Sequence, residues 1–143
     1  MEGGYVTFRL GERVYAAALP MIREIVRLEG LEELPGMTAP LVGVLELRGF
    51  PLPVLDGRPM PADGSPRCGD ILVLEATSSC DAVGVVVDRV VSVLDESELR
   101  KHSVAAPLGS LPSYVVDVLH ETNGAKGQIF MVDLRQIYAL VAA

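Results

Sequence analysis

Two histidines, two cysteines and no tryptophan make up the scarcest chemistry in this 143-residue sequence. His102 and His120 stand in neither an H-x-x-x-H nor an H-E-x-x-H pattern, so a zinc site lacks ligands at the required spacing. Cys68 and Cys80 form no C-x-x-C pair and read as reduced thiols. No G-x-S-x-G elbow surrounds a serine, and neither a G-x-x-x-x-G-K-[ST] nor a G-x-G-x-x-G phosphate loop occurs. Nothing in the sequence asks for a cofactor. No apolar stretch reaches about 18 residues, so no helical membrane span is expected. Met1 to Tyr5 carries neither the basic nor the apolar part of a signal peptide, and a cytoplasmic protein is expected. Basic residues are also sparse, 12 against 19 acidic ones, for a net charge of −7 and a pI of about 4.7. That balance argues against nucleic acid and against anionic membrane surfaces, both of which need clustered Lys and Arg. Protein partners remain open.

What the sequence does have is valine, leucine, glycine and proline. Hydrophobic residues make up 50% of the chain, with 14 Gly and 10 Pro. Branched Val side chains pack well on a pleated surface, and frequent turn formers imply short strands, so a mostly-β fold is expected. At this length the chain buries roughly 68–70% of its unfolded surface and needs no staples. Tyr5 to Leu10 alternates, Gly11-Glu12 suits a type II′ turn, and Arg13 to Leu19 returns as the second strand of a hairpin. Pro20 can open a helix, and Met21, Ile22, Ile25, Val26 and Leu28 recur at helical spacing, so a short helix is expected over about 20–28. Leu41 to Leu47 and Phe50 to Leu55 read as two strands around a tight Arg48-Gly49 turn. Pro51 and Pro53 mark the second as an edge strand or a bulged one. The loop over 56–69, rich in Pro and Gly, divides the chain into two halves. Ile71 to Leu74 is a short buried strand. The Val-rich run from Ala82 to Leu94 is too long for one flat strand, so a bend is expected near Asp88. Leu99 to Pro112 reads as irregular, Tyr114 to Leu119 and Gln128 to Val132 as strands, and Leu134 to Val141 as a closing helix.

Asp56, Asp88 and Asp133 each follow an apolar run. Carboxylates at strand ends accept turn hydrogen bonds as a matter of course. A different reading makes Asp56 and Asp88 an acid–base pair in a small β-barrel enzyme or ligand-binding barrel, which a titrating pair in a ligand-sized pocket would support.

The richest stretch is Gly43-Val44-Leu45-Glu46-Leu47-Arg48-Gly49-Phe50-Pro51-Leu52-Pro53-Val54-Leu55-Asp56. It resembles the hallmark of the CheW-like adaptor family, roughly G-V-x-N-L-R-G followed by a strand ending P-V-x-D. Val83-Gly84 through Val87-Asp88 to Val90 and Val93-Leu94 is similar to that family's V-G-x-x-V-D-x-V-x-x-V-L. Phe8 to Glu12 with Tyr15 resembles its opening hairpin, Ile22 to Ile25 its short V-x-E-I helix, and Leu34-Pro35-Gly36 the turn that follows. The motifs run in order from about Tyr5 to Leu140. Glu46 stands where the family usually has Asn, and Gly57 where it more often has Leu.

The resemblance implies a single domain over 1–143 made of two small five-stranded SH3-like β-barrels that share a hydrophobic core. It implies a non-enzymatic scaffold that couples the cytoplasmic tip of a chemoreceptor to the regulatory domain of a histidine kinase, recruited to receptor arrays at the inner face of the membrane. A CheW-like assembly module in another system, such as pilus motility, is a further alternative. The receptor side is expected at Arg48, Ile22, Glu24, Ile71 and Val90. The resemblance places the kinase side in the stretch that holds Val42, Val44, Val54 and Leu55. Arg48 carries the strongest expectation from its own chemistry. A cation between an apolar strand and a Gly is unsuited to a core, and its guanidinium can bond a partner's carboxylate bidentately.

Overall fold

A computed structural model of the chain describes residues 3–76, 81–101, 115–121 and 128–133. Eleven strands are described: β1 (Gly4–Leu10), β2 (Arg13–Ala18), β3 (Ile22–Arg27), β4 (Leu41–Leu47), β5 (Phe50–Leu55), β6 (Asp70–Leu74), β7 (Val83–Val87), β8 (Arg89–Asp95), β9 (Leu99–Lys101), β10 (Val115–Glu121) and β11 (Ile129–Val132). They form a six-stranded sheet in the order β8-β1-β2-β11-β10-β9 and a five-stranded sheet in the order β3-β6-β7-β5-β4. Among the described residues no helix is long and apolar enough to cross a membrane.

The five-stranded sheet is closed on itself. Its two edges, β3 and β4, lie at opposite ends of the strand order. The segment between them swings across, and Glu32 pairs with Val44 through reciprocal backbone bonds of 2.9 and 2.8 Å. Leu28, Leu45, Leu52, Val54, Ile71, Val73 and Val86 fill the interior. Gly43 and Gly84 are small for a reason. A Cβ on Gly43 would come within 2.7 Å of the Glu32 carbonyl, and one on Gly84 within 2.7 Å of Ile71.

A second cluster joins the two sheets. Val6, Phe8 and Ala17 from the larger sheet meet Leu55, Leu72, Leu74, Val85 and Val87 from the smaller one. Strands β6 and β7 therefore bury both faces, Ile71, Val73 and Val86 into the barrel and Leu72, Leu74, Val85 and Val87 into the shared core. This is why both read as unbroken apolar runs rather than alternating ones. Each such Val or Leu contributes about 1.5–3 kcal/mol on burial.

The expected mostly-β fold of two halves on one shared core is what the chain adopts. The bend expected near Asp88 is the point where the chain leaves β7 in one sheet and enters β8 in the other. Gly11 alone takes positive φ in the first hairpin turn, +64°, as a type II′ turn requires.

Two expectations are corrected. No helix occupies 20–28. A single 3₁₀ turn covers Leu19–Met21, and Ile22–Arg27 is strand β3, paired antiparallel to β6. Its exposure alternates residue by residue, with Ile22, Glu24 and Val26 inward and Arg23, Ile25 and Arg27 outward. The apolar spacing fits the helical period better, since Glu24 faces inward and Ile25 outward, but β-branched Ile22, Ile25 and Val26 next to the open edge of β6 decide for the strand. Likewise the stretch read as irregular from Leu99 opens with strand β9. The remainder of it, the expected closing helix at 134–141, Cys80 and His102 lie outside the described residues.

Candidate functional site

The β4–β5 hairpin turns in two residues, and both have positive φ: Arg48 at +50° and Gly49 at +86°. That is the signature of a type I′ turn, which matches the twist of the strands it joins. Its first central position favours Asn, Asp or Gly, because a Cβ crowds the left-handed conformation. Arg48 is the one non-glycine with positive φ among the described residues. Strain of this kind at an exposed tip makes Arg48 a candidate for function.

The Arg48 side chain reaches across the mouth of the barrel to β3, where its two terminal nitrogens donate one to each oxygen of Glu24. One of these bonds is 3.1 Å. The pair links the two edges of the closed sheet, and the guanidinium stays open to solvent, 62% exposed. The hydrogen bonds from Arg48 hold the Glu24 carboxyl below the ordinary glutamate range and raise Arg48 in turn. Beside them lies a hollow of about 80 Å³ floored by Leu52 and Val73 and rimmed by Arg23, Arg48, Phe50 and Pro51. Phe50 follows the turn directly and is 71% exposed. It lies on the same strand face as Leu52 and Val54 but at the rim, where the barrel interior ends. The arrangement offers a guanidinium, a carboxylate and an aromatic ring on one small surface.

Of the expected receptor-side residues, the structure brings Arg48 and Glu24 together. Ile22 and Val90 are half-buried and pack against the shared core. Ile71 is corrected: it is wholly buried inside the five-stranded barrel and presents no surface. On the expected kinase side, Val42 and Val44 are half-buried on the edge strand β4. Val54 and Leu55 are corrected in the same way, since they point into the two cores at 0% and 3% exposure. A residue-by-residue match to a motif cannot separate a strand's inward face from its outward one when both are apolar. Arg23, Phe50 and Pro51 were missed. Their signal was their position either side of Glu24 and Arg48 in sequence.

The acid–base reading of Asp56 and Asp88 is also corrected. Asp56 is buried, and each of its oxygens accepts two bonds. Oδ1 takes the Arg58 backbone N–H at 2.9 Å and Nε at 3.0 Å, and Oδ2 takes Arg58 Nη2 at 2.9 Å and Arg67 Nη1 at 3.0 Å. Arg58 Nη1 also donates to Asp88 Oδ1 at 2.9 Å, and the Gly11 N–H to Asp88 Oδ2 at 2.7 Å. Burial works against the charge on Arg58, but its bonds to both carboxylates outweigh this and raise its pKa further. The two carboxylates are brought together as anchors on either side of one guanidinium. Among the described residues no group of His, Cys, Asp and Glu could hold a metal ion.

Comparisons with known proteins agree with this architecture. The CheW-like domain family matches residues 4–140. The chemotaxis protein CheW of Treponema pallidum (strain Nichols) is 25% identical over 100 residues, 65% of this chain. The match spans 58% of that relative's own length. The crystal structure of the scaffolding protein TtCheW from Thermoanaerobacter tengcongensis superposes with a TM-score of 0.66 at 21% identity, covering 96% of this chain and 88% of that one, a likeness of fold. With its match running from the first strand past the last described one, the chain belongs to the CheW-like domain family.

Proposed function

We propose that the protein is a non-enzymatic scaffold that couples the cytoplasmic hairpin of a chemoreceptor to the regulatory domain of a histidine kinase. It acts in the cytoplasm at receptor arrays on the inner face of the membrane. The observation that carries this reading is the Arg48 corner: a guanidinium held out on a strained turn, oriented by Glu24, beside an exposed Phe50 and a small apolar hollow. Such a corner suits an amphipathic helical hairpin, which offers a carboxylate to Arg48 and an apolar anchor to the rim. Arg and aromatic residues are also the types that dominate interface energetics. The edge strand β4, with Val42 and Val44, supports a separate surface for the kinase domain. Separate surfaces let both partners bind at once, and a scaffold requires that.

The test is to mix the purified protein with a receptor cytoplasmic fragment and a kinase regulatory domain and to follow the species by analytical ultracentrifugation. A ternary complex is expected. Binding to neither partner at about 50 µM, far weaker than a working signalling contact, would remove the coupling role.

A further inference from the structure

A second hollow, of about 320 Å³, lies where the two halves of the molecule meet. Its walls come from the first hairpin turn at Gly11, Asp88 at the link between β7 and β8, and the loop after β5, which supplies Arg58, Pro59, Pro61 and Arg67. It shares no lining residue with the hollow at Arg48 and takes no part in the function proposed above. Its size falls at the small end of ligand-binding cavities.

The two arginines in its wall are used differently. Each nitrogen of Arg58 is engaged: Nε and Nη2 bond Asp56, Nη1 bonds Asp88, and Nη2 also donates to the Cys68 carbonyl at 2.7 Å. Arg67 commits only Nη1, which donates to Asp56 Oδ2 at 3.0 Å and to the Arg58 carbonyl at 3.4 Å. Its Nε and Nη2 groups donate to no acceptor among the described residues, although the side chain is only 14% exposed. Those two N–H groups form the side of the guanidinium that matches a carboxylate or phosphate with two parallel bonds. Arg67 lines the hollow, so an acceptor that enters it, water or an anion, can take these donors.

We propose that this hollow is a binding site for a small organic anion, whose carboxylate or phosphate takes the open edge of Arg67 while Pro59 and Pro61 cover its apolar part. Asp56 holds the guanidinium in place from behind, so little ordering is left to be done on binding. Asp88 is the one carboxylate in the wall. Its charge is already engaged by Arg58 and by the Gly11 N–H, which limits its repulsion of an anion. A single bidentate contact of this kind gives a dissociation constant of about 1–10 mM for a simple probe.

The test is a titration of the ¹⁵N-labelled protein with succinate and, separately, with inorganic phosphate at constant ionic strength, read by amide chemical shifts. Saturable shifts are expected at Gly11, Cys68 and Asp88, with Gly49 and Phe50 unmoved. Arg67→Lys keeps a charge for Asp56 but loses the fork, so it should weaken binding about tenfold while the remaining spectrum stays native. Saturation by succinate and not phosphate, or the reverse, identifies the anion class. Linear shifts spread over the surface with both probes, or equal affinity in Arg67→Lys, would overturn the proposal. If Arg67→Lys does not fold, Pro61→Glu, which puts a negative charge in the opposite wall, should abolish the saturable shifts and serves in its place.

Discussion

At the scale of single residues, Arg48 carries a conflict between folding and display. An L-residue in the left-handed region costs roughly 1–2 kcal/mol, less where the turn type demands that conformation. Asn tolerates it far better, so Arg48→Asn is expected to raise unfolding stability by about 0.5–1 kcal/mol, measured by urea denaturation. A loss of stability would mean that the Glu24 bridge matters more to the fold than its exposure suggests. The charge state of Glu24 is a second test. Its folded-state pKa is depressed, so any stability it lends is present above the unfolded value and fades as pH falls through the folded one. In Arg48→Ala the Glu24 carboxyl should titrate at higher pH than in the parent, a shift visible by carboxyl-detected NMR. Asp56 behaves differently because it is buried among two guanidiniums. Asp56→Ala is expected to lower stability by about 3 kcal/mol, since it leaves the largely buried Arg67 without a carboxylate and Arg58 with Asp88 alone.

At the scale of elements, legibility followed periodicity. The β4–β5 hairpin was readable to the residue because a tight turn with Gly49 separates two apolar runs. Strand β3 was not, because Met21, Ile22, Ile25, Val26 and Leu28 recur at helical spacing, while the strand turns Glu24 inward and Ile25 outward. Only the open edge of β6, which no local pattern reveals, settles the choice. The Arg58 and Arg67 clamp was also hidden, since charged residues among prolines read as a solvated loop until Asp56 is seen buried beneath them. Closure of the five-stranded barrel depends on close backbone approach at Gly43. Gly43→Ala forces a Cβ against the Glu32 carbonyl, which cannot swing away as a side chain tip would. A loss of about 1–3 kcal/mol is expected in the same denaturation assay. A neutral result would show that the segment carrying Glu32 can shift without opening the barrel.

At the scale of the whole molecule, the two sheets are welded by strands that serve both cores. The family resemblance already implied two halves with a common interior, and the unbroken valines of β7 agree with it, because a strand buried on one side alone would alternate. What the sequence could not show is which apolar residues remain for a partner. Ile71, Val54 and Leu55 match family positions, yet packing consumes them, while the exposed surface at the corner comes from a strained turn and an aromatic at its rim. Buried valines, leucines and isoleucines hold the fold, and the proposed contact rests on the exposed Arg48 corner. Calorimetric titration of a receptor cytoplasmic fragment into the parent protein and into Arg48→Asn tests that separation most directly. Affinity should fall at least about tenfold while the variant melts no lower than the parent, as expected for loss of a charged interface anchor. Unchanged affinity in a stably folded variant would contradict it.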